Sequence, residues 1–231
     1  MSFGIAAMVR EPNDDDPSMQ LELRGPSSRK PPFSMVRTFA LADLITLGNA
    51  ASGTGAVLVS MSYVATADAG KIWAAFGLLP LALACDALDG MVARWRRKSS
   101  PLGADLDSLA DIVSFGVAPA ALGFALGLRG GWDAVILCYF VACGISRLAR
   151  YNVTAAALSD EKGKVKYYEG TPIPTSLAIV LMLGIAFYGG HVGDALWFGA
   201  SELGPFVLHP LSLVYVLSGS MMVSTFRIPK P

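Results

Sequence analysis

The chain has 231 residues, of which 53% are hydrophobic and only 16% charged, with 18 basic residues balancing 18 acidic ones. Its mean hydropathy of +0.51 is too apolar for an ordinary soluble domain, and its balanced charge gives no sign of a nucleic-acid partner. These numbers leave an integral membrane protein.

Residues 1–30 are polar and Pro-rich, with no apolar core for a cleavable signal peptide, and are expected to be a disordered cytosolic segment. Residues 31–37 (PPFSMVR) mix apolar and basic side chains, as a short helix lying on the membrane surface would. Six apolar spans follow, at 42–64, 71–93, 106–128, 132–157, 173–190 and 205–224. Each is near the ~20 residues a bilayer needs, so residues 31–231 are expected to form one all-α, six-helix membrane bundle with no separate soluble domain. If the spans alternate, sixteen of the 18 Lys and Arg residues fall on one side, against Lys71 and Arg129 on the other. That asymmetry puts both termini, and the turn after span two, in the cytosol. Cys85, Cys138 and Cys143 lie within apolar spans and read as small core hydrophobes. The sequon at Asn152 falls on the cytosolic side and is discounted.

Between Asp86 and Asp111, four acids (Asp86, Asp89, Asp107 and Asp111) recur at regular spacing inside or beside apolar runs. A carboxylate in hydrocarbon costs at least ~2.5–3.5 kcal/mol even on lenient insertion scales, so a cluster of them needs a reason. On a helix, Asp86, Asp89 and Ala93 share one face, as do Gly103, Asp107 and Asp111. Two helices meeting across the turn at 99–103 would bring all four carboxylates together, where repulsion would scatter them unless a cation sat between. The pattern holds no His or Cys, and carboxylate oxygens suit hard cations, which points to Mg²⁺ or Mn²⁺ and away from zinc or copper. Intramembrane acids also serve cation transporters. Acids at the cytosolic ends of two adjacent helices, however, fit a catalytic site at the membrane surface better than a transport site at the midplane.

The arrangement Asp86-x2-Asp89-Gly90-x2-Ala93-Arg94-x8-Gly103-x3-Asp107-x3-Asp111 resembles the signature of the CDP-alcohol phosphotransferases at all eight fixed positions. The likeness covers roughly residues 33–228. It implies a six-helix membrane enzyme that moves a phospho-lipid or phospho-alcohol group from a CDP-activated donor to a second alcohol, releasing CMP. Residues 146–154 (SRLARYNVT) and 164–176 (KVKYYEGTPIPTS) look like the phosphatidylserine synthase branch, particularly its fungal-type members. That likeness implies CDP-diacylglycerol as donor, L-serine as acceptor, a homodimer, and residence in the endoplasmic reticulum. Inositol, glycerol 3-phosphate, choline and ethanolamine stay open as acceptors, because the eight positions speak only for the donor chemistry.

By the same resemblance, Asp86, Asp89 and Asp107 would hold two Mg²⁺ or Mn²⁺ ions, with Asp111 shared between metal binding and proton removal. A carboxylate bound tightly to metal is a weak base, so Asp111, last in the row, is the candidate least engaged by metal. Gly90, Ala93 and Gly103 would line the nucleotide slot, where missing side chains let a ligand approach the backbone. Helix packing is the other reading of the glycines. Arg94 would bind phosphate, and Asn49, on span one, would reach a donor phosphate. Arg147 and Arg150 either snorkel to anchor a helix end or bind the serine carboxylate or donor phosphate. Asn152, Lys164, Thr171, Pro172 and Thr175 complete the candidate acceptor site, with 171–175 as a rigid turn opening span five. Asp105 points well away from Asp107 on the helical wheel and is expected to be exposed.

Overall fold

The computed structural model describes residues 41–96, 101–158, 167–224 and 227–229. The expectations for 1–30 and for a surface helix at 31–37 lie outside the described residues. Helices α1 (Leu41–Thr66) and α2 (Ala69–Arg96) are joined by a two-residue turn. Asp68 begins α2 by accepting the Gly70 N–H at 2.9 Å, satisfying a donor that a helix start leaves unpaired. Helix α3 (Pro101–Asp111) passes through a π-helical turn, Ile112–Val117, into α4 (Ala118–Leu126), and α5 (Gly131–Leu158) returns. Strand β1 (Tyr167–Glu169) and a 3₁₀ turn, Ile173–Ser176, precede α6 (Leu177–Tyr188). A hairpin of β2 (Ser201–Leu203) and β3 (Phe206–Leu208), then α7 (Leu213–Val223) and β4 (Arg227–Pro229), complete the described chain.

Among the described residues, four stretches are long and apolar enough to cross a membrane: Ala42–Thr66, Ala69–Val92, Gly103–Leu126 and Gly131–Thr154. The apolar helices Ile173–Tyr188 and Pro210–Val223 are shorter, reaching about 20–25 Å at 1.5 Å per residue against a hydrocarbon core of ~30 Å. Spans one to four thus match the sequence expectation, whereas spans five and six fall short by length. Span six is shortened by its own turn chemistry. Gly204 adopts φ +67°, and Pro205 follows with its ring-fixed negative φ, the pairing that suits a two-residue type II′ hairpin turn. Ser201, Glu202 and Leu203 consequently pair with Leu208, Val207 and Phe206 where a helix was expected to begin.

The span Gly103–Leu126 is the central one: 67% of its most apolar window is buried, against 22–33% for the other three. Helix α1 packs along α2 and also against α3, the π turn and α4, while α5 packs against α7. Phe115, Leu122, Leu126, Phe140 and Tyr215 are fully buried between these layers. Phe140 and Tyr215 meet edge to face at 5.2 Å, and the Tyr215 hydroxyl donates to the Pro119 carbonyl at 2.8 Å. The end of the bundle where α4 turns into α5 is fastened by Asp133, which is fully buried. Its carboxylate accepts the Gly130 N–H at 2.8 Å and the His209 N–H at 2.9 Å, and lies 2.5 Å from His209 Nδ1. At the other end, β1 and β4 form an antiparallel ladder, Tyr168 opposite Ile228, that ties the segment before α6 to the segment after α7.

Candidate active site

The last turns of α2 and the whole of α3 carry the acids, and their helical spacing turns them toward each other. Asp86, Asp89 and Asp107 each offer a carboxylate oxygen, and these oxygens lie within 4.8 Å of one another. Asp89 and Asp111 are buried, Asp86 and Asp107 half-buried. Among the described residues, the group of ligand atoms that closes to this distance comprises those three acids without Asp111. Like charges this close in a low-dielectric setting repel strongly. Asp107 Oδ1 is moreover buried with no hydrogen-bond partner among the described residues. Three convergent carboxylates, one of which carries a buried oxygen with no partner among the described residues, fit a hard divalent ion.

Helix α1 contributes a second polar layer. Asp43, Thr46, Asn49, Ser52 and Ser60 are all buried along it, and polar groups in a membrane span are expensive unless they do something. Thr46 Oγ1 donates to Asp89 Oδ2 at 2.7 Å. Asn49 Nδ2 donates to Asp111 Oδ1 at 3.2 Å. Ser114, inside the π turn, donates to the Asn49 main-chain carbonyl at 3.0 Å. The clustered carboxylates therefore come from α2 and α3, and Thr46 and Asn49 on α1 supply donors that orient two of them.

The decisive comparison is at the level of the family. Residues 39–216 match the model of the CDP-alcohol phosphatidyltransferases. The chain belongs to that family. Similar proteins include the CDP-diacylglycerol–serine O-phosphatidyltransferase of Saccharomyces cerevisiae, 43% identical over 203 residues, covering 86% of this chain and 74% of the relative. The protein of the same name from Methanocaldococcus jannaschii is 28% identical over 198 residues, covering 86% of this chain and 78% of the relative. The archaetidylserine synthase of Methanothermobacter thermautotrophicus is 36% identical over 144 residues, covering 61% of this chain and 56% of the relative.

Within this family member, the remaining candidate residues separate. A Cβ built on Gly90 meets nothing within 4 Å, so no described neighbour requires a glycine there for helix packing. Open space over the backbone, one residue after Asp89, is what a close ligand approach needs. Gly103 is half-buried on α3. The side chains of Ala93 and Arg94, and all of Lys164, lie outside the described residues. Arg147 is half-buried and Arg150 exposed on α5, and both carry interactions of their own. Asn152 and Ser108 bond side chain to side chain, at 3.0 Å for Asn152 Nδ2 to Ser108 Oγ, which couples α5 to the residue after Asp107. The Thr171 N–H donates to the Met221 carbonyl at 3.2 Å. Thr175 Oγ1 donates to the Pro172 carbonyl at 2.7 Å, closing the turn locally, and Pro172 is exposed. Asp105 is exposed, as expected.

Two residues that the sequence pattern did not single out, Thr46 and Ser114, touch the acids or their holder. Thr46 had a signal: it stands three residues after Asp43 and three before Asn49, in a polar stripe at helical spacing. Ser114 had none, because only the π turn directs it at α1.

Proposed function

We propose that this chain transfers the phosphatidyl group of CDP-diacylglycerol to the hydroxyl of L-serine, giving phosphatidylserine and CMP. The carrying observation is the carboxylate trio on α2 and α3, with a fourth acid, Asp111, held apart from it on an amide. The serine-using names of the three relatives support serine as the acceptor.

Asp86, Asp89 and Asp107 are the ligands for Mg²⁺ or Mn²⁺, two ions in all, with Asp111 at their edge. When bound, such ions neutralise the charge that builds on the pyrophosphate oxygens as the bond to CMP breaks. Asp111 takes the proton of the serine hydroxyl, a contribution of ~10²–10⁴-fold for a well-placed base. The serine oxygen forms its bond to the phosphorus that carries diacylglycerol, and the bond from that phosphorus to the bridging oxygen breaks, its electron pair leaving with CMP. Gly90, Ala93, Arg94 and Gly103 border the nucleotide. Arg147, Arg150, Asn152, Lys164, Thr171, Pro172 and Thr175 surround the acceptor. The basic asymmetry supports a cytosolic active site with both termini on the same side. The enzyme works as a homodimer surrounded by membrane lipid, in the endoplasmic reticulum.

The test is CMP release by the purified protein from CDP-diacylglycerol with Mn²⁺, offering serine, inositol, glycerol 3-phosphate, choline and ethanolamine separately. Release with serine alone, lost in Asp111→Asn, is the expected result. Release with a different acceptor overturns the serine assignment, and no release with any acceptor overturns the reaction.

A further inference from the structure

The π turn Ile112–Val117 begins one residue after Asp111. A π turn widens the helix by one residue and changes which side chains face each neighbour, and such turns cluster at functional sites. Here it brings Ser114, fully buried, against the backbone of α1. Ser114 fills the place where a Cβ on residue 53 would stand, its Oγ, Cα and Cβ all in the way, so Gly53 permits the contact. Ser114 Oγ donates to the Asn49 carbonyl at 3.0 Å. The same Asn49 is fully buried and sends its amide to Asp111 Oδ1 at 3.2 Å. Asn49 Oδ1 has no partner among the described residues, so the contacts that anchor the side chain there are the Asp111 bond and its own backbone.

We propose that Asn49 is the positioning residue for Asp111. Its Nδ2 holds one carboxylate oxygen, the Ser114–Gly53 contact at the π turn holds Asn49, and Asp111 Oδ2 is left to meet the acceptor hydroxyl. This role runs through the base and not through the donor phosphate, and it rests on the reaction proposed above. A carboxylate free to rotate in a metal-lined site turns toward the cations. An amide bond to one oxygen resists that rotation, and a fixed orientation within hydrogen-bond reach is what proton transfer requires.

The experiment compares wild type, Asn49→Ala, Asp111→Asn and the double variant by steady-state CMP release, with melting temperatures confirming that each folds. In Asn49→Ala we expect kcat to fall about ten- to hundredfold, within the range a base supplies, with KM for CDP-diacylglycerol changed less than about twofold. Adding Asn49→Ala to Asp111→Asn should cost nothing further, because residues acting as a unit are non-additive. A raised KM for CDP-diacylglycerol, or losses that multiply in the double variant, would overturn the proposal and return Asn49 to the donor phosphate. If Asp111→Asn leaves no measurable rate, the rise in melting temperature caused by CDP-diacylglycerol decides: retained in Asn49→Ala it supports positioning, and lost it overturns it. A wild-type chain that releases no CMP overturns the reaction itself, before any variant is read.

Discussion

Replacing Gly90 by Ala separates folding from function in one step. Gly90 lies inside α2, and a Cβ there meets no atom of the described residues within 4 Å. Glycine inside a helix costs about 1 kcal/mol relative to alanine, so the substitution should stabilise the protein by about that amount. For a chain of this size that is a rise in melting temperature of ~2–4 °C. If the donor nucleotide lies over this backbone, the same methyl group occupies its place. An added carbon in a filled pocket costs about 1–3 kcal/mol, or ten- to two-hundredfold in kcat/KM, and the loss should appear in KM for CDP-diacylglycerol. The assay is thermal unfolding in detergent beside CMP release at varied CDP-diacylglycerol. Gly53→Ala is the internal contrast, since its Cβ would run into Ser114; overpacking of this kind costs ~1–3 kcal/mol and should lower the melting temperature. A Gly90→Ala protein that is more stable and fully active would refute the placement of the nucleotide. One that melts lower would refute the open space on which the reasoning rests.

Three more expectations follow from the same geometry. Thr46→Val keeps the shape but removes the 2.7 Å donor to Asp89; such outer partners are worth ~10–100-fold in metal affinity, so the Mn²⁺ concentration for half-maximal rate should rise about tenfold or more. An unchanged metal requirement would sever Thr46 from the site. Stripping divalent ions with a chelator should abolish CMP release and restoring Mg²⁺ or Mn²⁺ should recover it; full activity in a verified metal-free sample would rule the carboxylate trio out as a metal centre. Asp133→Ala deletes the acceptor of the Gly130 and His209 N–H groups, both buried or half-buried. It should cost about 3 kcal/mol, lowering the melting temperature by ~6–12 °C. Asp111 and Leu126 stand about 23 Å apart along the central span, so KM values at low temperature should hold. A raised KM would tie that end of the bundle to the chemistry.

The parts of the site that could be read directly are those carried by local periodicity. Asp86 and Asp89, and likewise Asp107 and Asp111, stand three or four residues apart, and 3.6 residues per turn places each pair on one helix face whatever surrounds it. Hydropathy likewise located the first four spans to within a few residues. The hairpin at 201–208 was missed because Gly204 and Pro205 lie in an apolar run, and turn chemistry at two positions outweighed it. Asn152 was singled out by its neighbourhood in the chain; its bond to Ser108 on another helix is a long-range contact that no local pattern shows.

The amino-acid sequence by itself determined that this is a membrane protein, that its acids share helix faces, and which family's signature they spell. Tertiary structure alone decided which acids converge, which one stands apart, and what orients them. The Thr46–Asp89, Asn49–Asp111 and Ser114–Asn49 bonds join residues 43, 62 and 65 positions apart. No local period encodes such separations; they arise when α1 is packed into the groove beside α2 and the π turn. Helical spacing sets a side chain's direction, and packing against another helix decides what it meets.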